Sequence, residues 1–582
     1  MNNELDPAAS EGKTVPGEIE KISPTPLEKI GLSLSGGGYR AATFHLGSMS
    51  YLNKLQFGDK RLLEHVKMIS TVSGGTITGI AYSLGKQRGD SFDTIYRFLL
   101  KKLKEVDLVA AGIEKLSPGG HWDNQYKHRN FINAFAELYD KEFTGGITFN
   151  EFTTMKSHLE AVVFNSTEFD NGINFRFRSP GSGFFGNYKK RVPLEATKEV
   201  KLADAMAASS AFTGGFEPMI WPHDFRHDNA PHLLAMKDSE PLGLMDGGIY
   251  DNQGIESLLN HKKNAKDTYF DLIIVSDVTS PYMNGYRPVT SVPDNKWTRL
   301  SINGILEQSR KINFKINLGL IILAVLAAAL PFIFYKGYRN NALTGIAVTV
   351  SVISLLLLVG KNLAIAVIRN KTNGLNDWLQ KILGTHFSPR FAKLKIQEIS
   401  FAKLLPLLLD RGKSLYTLAM DVFLKVIRRL NYYKLYADKK YAFRRINNMM
   451  RELTEEDYNN KGKEKRNDEP SQSGTVTRST MTGPYDEVVG PLIKKTTEDA
   501  CTFGTTLWFT EGELLDNMLN KLVACGQFTM CYNLIVYLES VIYGVDNGYD
   551  QLTVETRRKL ETLYQVCKTD WEEFKVQPEK MV

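Results

Sequence analysis

Near its start the chain twice passes from an alternating apolar run through consecutive glycines into a helical pattern, and this repetition limits its possible folds more than any bulk property. Ile30, Leu32 and Leu34 share one face of the run Lys29–Ser35; Gly36, Gly37 and Gly38 follow, and Ala41–Leu55 reads as a helix. Val66–Thr71, mostly apolar and partly β-branched, leads through Val72-Ser73-Gly74-Gly75 into a helical stretch, Thr76–Leu84. A third apolar run, Leu242–Met245, ends on Asp246-Gly247-Gly248. Strands that alternate with helices in this way specify an α/β sheet.

Each junction supplies one chemical element. Consecutive glycines at a helix N-terminus leave backbone N–H groups uncovered where the helix dipole favours negative charge. Such a cradle serves either a phosphate or the oxyanion of a tetrahedral intermediate. The phosphate-loop pattern G-x-x-x-x-G-K-[ST] is absent, and the last glycine of G-x-G-x-x-G falls at Ala41. The alanine variant keeps dinucleotide binding formally open, but that reading leaves Ser73 and Asp246 without a role. Ser73 sits at a strand-to-helix turn, which lifts a hydroxyl above a sheet, and Gly75 lets the helix start close to the strand. The pattern expected there is G-x-S-x-G; Thr71 stands at the first glycine, so its side chain must point away from the turn. The plainer reading of Val-Ser-Gly-Gly is a tight turn and nothing more.

A serine hydroxyl becomes a nucleophile only when a base takes its proton. Asp246 can do so directly. His261 lies downstream in the polar stretch His261-Lys262-Lys263-Asn264, so a Ser, Asp, His order is also available; the direct Ser73–Asp246 dyad needs no imidazole and is preferred.

In this combination the residues resemble the patatin-like phospholipases. The resemblance rests on Gly36-Gly37-Gly38-Tyr39-Arg40, on Ser73 with Gly75, and on Asp246-Gly247-Gly248. It is extended by Ala207-Ala208-Ser209-Ser210-Ala211 leading to Phe216-Glu217-Pro218, and by Phe164-Asn165-Ser166-Thr167. It covers about residues 28–280, and Thr505-Thr506-Leu507 looks like the family's closing segment. It implies a three-layer α/β/α catalytic domain hydrolysing lipid acyl esters without a metal or cofactor. Ser73 would be the nucleophile and Asp246 the base. Gly36, Gly37 and Gly38 would form the oxyanion hole, with Arg40 anchoring that loop. Three residues depart from the pattern: Ser35 for the usual Asp, Thr71 for the elbow glycine, and Thr213 where proline often stands. A catalytically inactive scaffold or regulator on the same fold, or a thioesterase or neutral-lipid esterase using the same dyad, are the alternatives.

Outside this region the strongest signal is apolar. Ile316–Tyr335 runs 20 residues without a charge and Leu343–Val359 a further 17, separated by Lys336-Gly337-Tyr338-Arg339-Asn340-Asn341. About 20 helical residues cross a hydrocarbon core of roughly 30 Å, so residues 316–359 read as an inserted transmembrane helical hairpin; two core helices of a soluble protein are the alternative. Arg310, Lys311 and Lys315 precede it and Lys361, Arg369 and Lys371 follow, which predicts an integral membrane protein whose catalytic part faces the cytoplasm. From Lys361 to Leu453 there are 19 Lys and Arg against 6 Asp and Glu, a helical basic region suited to an anionic membrane surface. Nucleic acid is the rival partner for such charge and is not expected beside a hairpin.

The expected organisation is therefore a flexible N-terminal tail (1–27), a catalytic domain (28–300), the hairpin, the basic region (361–453), a linker poor in large apolar residues (455–495), and a helical segment (501–582) returning to the catalytic body. Four cysteines without C-x-x-C spacing suit a reducing compartment.

Overall fold

A computed structural model of the chain describes residues 21–261, 269–279, 299–335, 346–363, 400–460, 480–481, 483–545 and 547–581, with positions 287 and 366. Its packing divides the chain into two units, Met1–Met283 with Met420–Val582, and Asn284–Ala419.

The first unit is built on an eight-stranded mixed sheet of β1 (Ile30–Leu34), β2 (Val66–Val72), β3 (Ala161–Glu168), β4 (Ile173–Arg178), β5 (Met219–Trp221), β6 (Leu242–Asp246), β7 (Leu272–Asp277) and β8 (Arg445–Met449). The order is β8-β7-β1-β2-β3-β6-β5, with β4 also on β3. The first five strands in this order run parallel, while β4 and β6 oppose β3 and β5 opposes β6.

Alternate residues of the parallel strands enter two cores, because side chains of a pleated strand point to opposite faces. Leu32, Leu34, Ile69, Val162, Phe164 and Ile274 join one core. It also receives side chains from helices α1 (Gly38–Lys54), α2 (Gly74–Arg88), α3 (Leu202–Ser210) and α5 (Met518–Ile542). Met68, Ala161, Val163, Ile273 and Val275 join the other, closed by Ile255, Leu258 and Leu435, the last from helix α4 (Phe423–Ala437). Helices thus cover both faces of the sheet.

One detail of register positions the site. The first half of β3 pairs with β2, ending at Asn165 opposite Val72, and its last three residues pair with β6, starting at Ser166 opposite Asp246. Because β4 takes the far edge of β3 over both halves, β2 and β6 lie on the same edge, C-terminal end to C-terminal end. The turn after β2 and the end of β6 are therefore neighbours.

In the first unit the C-terminal segment packs on α1. Helix α5 lies along α1 backbone to backbone: a Cβ at Gly526 would stand 2.1 Å from the Phe44 carbonyl oxygen, and one at Gly47 2.0 Å from that of Val523. By length and composition α5 could cross a membrane, yet its apolar stretch is buried against the rest of the unit; it is a core helix. Arg445–Met449, within the span expected to be helical and membrane-proximal, is instead strand β8 on the sheet edge. Of the expected linker, residues 461–479 lie outside the described residues, while Tyr485–Val488 and Pro491–Thr502 are helices. Residues 1–20 of the expected tail lie outside them too, whereas Ile22 and Leu27 are buried.

The second unit contains two apolar helices, Ile302–Tyr335 and Ile346–Leu363. They run antiparallel: Asn317 Nδ2 donates to Asn362 Oδ1 at 3.4 Å, and Ser351 Oγ donates to the Ala324 carbonyl at 3.1 Å. Ile316, Leu318, Ile321, Val325, Val352 and Leu356 are exposed. The expected link 336–341 and the basic stretch 367–399 lie outside the described residues.

Candidate active site

Ser73 occupies the turn between β2 and α2 with φ 50° and ψ −123°. Few residues other than glycine adopt positive φ, and a serine held there stores about 1–3 kcal/mol of strain that its surroundings must sustain. Gly75 is what lets the helix begin so near the sheet: a Cβ there would lie 2.4 Å from the Leu34 carbonyl oxygen. Ser73 keeps 9% of its surface accessible while its neighbours in the turn are closed in.

Thr71 fits without crowding the turn because its side chain faces α2. A Cβ at Gly79 would sit 2.4 Å from the Thr71 methyl, so the missing side chain of Gly79 makes the room. The Thr71 hydroxyl lies 2.9 Å from that of Thr76, which lies 2.8 Å from that of Ser209. Ser209 Oγ donates to the Asn165 carbonyl at 2.7 Å and accepts the Ser73 N–H at 3.0 Å.

Asp246, at the end of β6, is 3% exposed. Burial pushes its carboxyl up to about 6, against the opposing pull of the Gly248 N–H and of the Ser73 hydroxyl. Gly248 N–H donates to Asp246 Oδ1 at 2.7 Å. The backbone is fixed from the end of α3, where the Asp246 N–H donates to the Ala211 carbonyl at 2.9 Å and the Gly247 N–H to the Ser209 carbonyl at 3.2 Å. The Ala-Ser-Ser-Ala segment thus touches both halves of the site.

The glycine loop packs directly on the Ser73 turn: a Cβ on Gly36 would stand 3.0 Å from Ser73 Cβ, and one on Gly74 2.1 Å from the Gly38 carbonyl oxygen. Gly37 and Gly38 have φ of 144° and 60°, conformations that suit glycine. The expectation that all three glycines serve an oxyanion is corrected at Gly36, whose N–H donates to the Asn252 carbonyl at 3.1 Å and is not available to a ligand. Among the described residues the N–H groups of Gly37 and Gly38 have no protein acceptor. Arg40 Nη1 donates to the Phe503 carbonyl at 3.2 Å, and the Tyr39 N–H donates to the Thr506 carbonyl at 2.8 Å. Arg40 thus bonds to the C-terminal segment.

His261 is placed elsewhere. Its Nδ1 lies 2.8 Å from Arg178 Nη2 and its ring stacks on Phe270, on the side of the sheet where Phe270 joins the second core. The imidazole of His45, a residue the sequence reading does not single out, bonds to the residue before the glycine loop. It bridges Ser276 Oγ (2.8 Å) and the Ser35 carbonyl (2.9 Å), and burial holds it down to about 4, hence neutral. Its spacing within α1 carries no signal that could have marked it. Ser35, in place of the usual Asp, accepts the Val278 N–H at 3.1 Å. Among the described residues the donors that could hold a metal ion are His128, His223 and Asp224. Asp224 Oδ1 already accepts the His128 N–H at 3.0 Å and faces the two Nδ1 atoms at 2.7 and 3.2 Å. None of the three bonds to Ser73 or Asp246.

Residues 32–259 match the model of the Patatin family, described as patatin-like phospholipase. Among solved structures the chain is similar to human GIVD cytosolic phospholipase A2. Against that protein in complex with methyl gamma-linolenyl fluorophosphonate inhibitor and terbium chloride, identity is 18%, covering 32% of this chain and 30% of that chain with a TM-score of 0.22. Against the same protein alone the values are 17%, 32%, 28% and 0.22. Against its complex with methyl gamma-linolenyl fluorophosphonate they are 17%, 38%, 35% and 0.23. The chain spans about a third of the length of these structures. No curated protein matches it.

Proposed function

We propose that the chain, with its patatin-like phospholipase region at residues 32–259, is a membrane-anchored lipid acyl hydrolase working through a Ser73–Asp246 dyad. The observation that carries this reading is the strand register that brings the strained Ser73 turn beside the end of β6, where burial pushes the Asp246 carboxyl up to about 6. A general base is most useful when its pKa lies close to the working pH.

The reaction follows from the groups present. Asp246 takes the hydroxyl proton as Ser73 Oγ bonds to the ester carbonyl carbon. The carbonyl oxygen gains the negative charge and is met by the N–H groups of Gly37 and Gly38, each of which is worth about 10²–10³ in rate if it behaves as other oxyanion donors do. Collapse breaks the bond to the alcohol, which leaves with the proton from Asp246, and the acyl group remains on Ser73. Water then gives a proton to Asp246 and attacks the acyl carbon. Expulsion of Ser73 Oγ, reprotonated by Asp246, frees the fatty acid.

The exposed apolar helices of the second unit support anchoring, since a soluble protein rarely leaves so continuous an apolar surface open. With the flanking Lys and Arg this reading keeps the catalytic unit on the cytoplasmic side, against anionic headgroups. The test is fatty-acid release from anionic phospholipid vesicles. Wild type should hydrolyse, and Ser73→Ala should lose at least about 10³-fold, as expected for a missing covalent nucleophile. Equal release by the two proteins would overturn the assignment.

A further inference from the structure

We infer that Ser209 is a positioning residue of the Ser73–Asp246 dyad, holding the elbow serine through its hydroxyl and, through its carbonyl, the Gly247 amide that follows the base. The inference rests on the dyad reading given above. Its starting point is a mismatch: Ser73 sits in a backbone conformation disfavoured for any residue with a side chain, and a strained residue stays so only where its surroundings over-determine it. The segment before Ser73 lacks the elbow glycine, so the restraint must come from elsewhere.

Hydrogen-bond capacity shows where. A serine hydroxyl has one donor and two acceptor positions. Ser209 Oγ uses its proton on the Asn165 carbonyl, so it accepts from both the Ser73 N–H and the Thr76 hydroxyl. The Thr76 hydroxyl, committed to Ser209, then accepts from Thr71. The direction of every proton is fixed: Thr71 to Thr76 to Ser209 to Asn165, with the Ser73 amide as the second donor to Ser209. Thr71, Thr76, Asn165 and Ser209 are all 0% exposed, so water cannot replace a lost member. Thr71 therefore opens a chain that ends on the residue restraining Ser73.

The same residue grips the other half. The Ser209 carbonyl accepts the Gly247 N–H, and two positions on, Ala211 accepts that of Asp246. Asn165, which takes the Ser209 proton, pairs with Val72 in the sheet, and the next residue, Ser166, pairs with Asp246. One helix end and one strand thus fix nucleophile and base in a common frame. Loss of the Ser209 hydroxyl frees the Ser73 amide and lets the turn relax toward ordinary backbone angles, which lengthens the contact between the Ser73 hydroxyl and Asp246.

The test compares Ser209→Ala, Thr76→Val and Ser73→Ala for kcat, KM, pH profile and labelling by an alkyl fluorophosphonate, with the Tm of each. A displacement of the order of 1 Å costs about 100-fold in rate. Ser209→Ala should therefore lose about 10–100-fold in kcat and in labelling rate, with KM for a short-chain ester unchanged. Its acidic limb should move to higher pH, because the Ser73 hydroxyl lowers the Asp246 pKa and that influence weakens as the hydroxyl moves away. Thr76→Val, which removes one bond to Ser209 but leaves the Ser73 amide held, should fall less and keep the limb in place. Thr76→Ser, which retains the hydroxyl, should restore the wild-type rate. A folded Ser209→Ala labelled at the wild-type rate with an unmoved limb refutes the inference while Ser73→Ala remains inactive. If Ser73→Ala itself is labelled and active, it is the dyad reading that fails. Should Ser209→Ala not fold, an unchanged labelling rate in Thr76→Val together with full activity in a Thr71→Val variant would refute the chain.

Discussion

Replacing Asp246 with asparagine should abolish hydrolysis and, at neutral pH, stabilise the fold. The carboxyl titrates at about 6 rather than 3.8, and its largest cause is burial. At about 1.36 kcal/mol per unit, the ionised group costs the native state about 3 kcal/mol. Because the native pKa is raised, the native state holds a proton that the unfolded chain has already released. The penalty is therefore complete above about pH 6 and vanishes below about pH 4, which is the pH range between the folded and ordinary values. Asparagine keeps an oxygen for the Gly248 N–H and carries no charge, so Asp246→Asn should gain up to about 3 kcal/mol at pH 8 and nothing near pH 4. Asp251 is also buried and raised to about 6, so the wild-type stability curve mixes two groups and only the difference between variant and wild type isolates Asp246. Activity reads the same group independently: with a base of pKa about 6, kcat/KM at pH 5 should fall to about a tenth of its plateau. Urea unfolding at pH 8 and pH 4.5, with ester hydrolysis from pH 4.5 to 8, measures both. Hydrolysis that is flat from pH 5 to 7, or a variant that unfolds in less urea than wild type at pH 8, would refute the reasoning.

Gly79→Ala should cost about 1–3 kcal/mol as an overpacked substitution, because its Cβ would press on the Thr71 methyl at 2.4 Å; in a Thr71→Ser background, which removes that methyl and keeps the hydroxyl, most of the cost should disappear, and simple additivity in a double-mutant cycle would contradict this packing. Arg428→Met should destabilise by about 3–5 kcal/mol, since the buried Arg428 Nε donates at 2.8 Å to Asp277, which is 0% exposed and whose pKa is lowered by that guanidinium despite burial; a loss under about 1 kcal/mol in urea unfolding would show that Asp277 does not depend on this partner. Alkaline carbonate washing should leave the wild-type chain in the membrane pellet, and a Leu323→Lys, Leu356→Lys variant, carrying about 2.5–3.5 kcal/mol of insertion cost per charge, should be released into the supernatant; equal retention would argue against insertion of these helices.

The parts legible in the linear chain are those that local chemistry fixes. Alternation placed β1, a mostly apolar, partly β-branched run placed β2, the glycines marked the two turns, and the positions of Ser73, Asp246 and the glycine loop followed from residue type alone. The apolar runs announced both helices of the second unit. Other features depended on packing. Arg445–Met449 carries too few apolar residues to signal a strand, because as an edge strand beside β7 it is only half buried. Helix α5 is apolar enough to resemble a membrane span, and only its packing along α1 reveals a core helix. Gly36 looked like its two neighbours until the Asn252 carbonyl was seen to take its N–H.

Sequence alone thus determined which groups with catalytic chemistry the chain carries and on which local turns they sit, since backbone preference, side-chain period and hydropathy act over a few residues. Tertiary structure decided which of them meet. That the strand end bearing Asp246, and not His261, neighbours the Ser73 turn, that Ser209 reaches the Ser73 amide from 136 positions away, and that β2 and β6 abut along β3 all depend on strand register and on the satisfaction of buried hydrogen bonds. Those are properties of residues distant in the chain, and no local pattern encodes them.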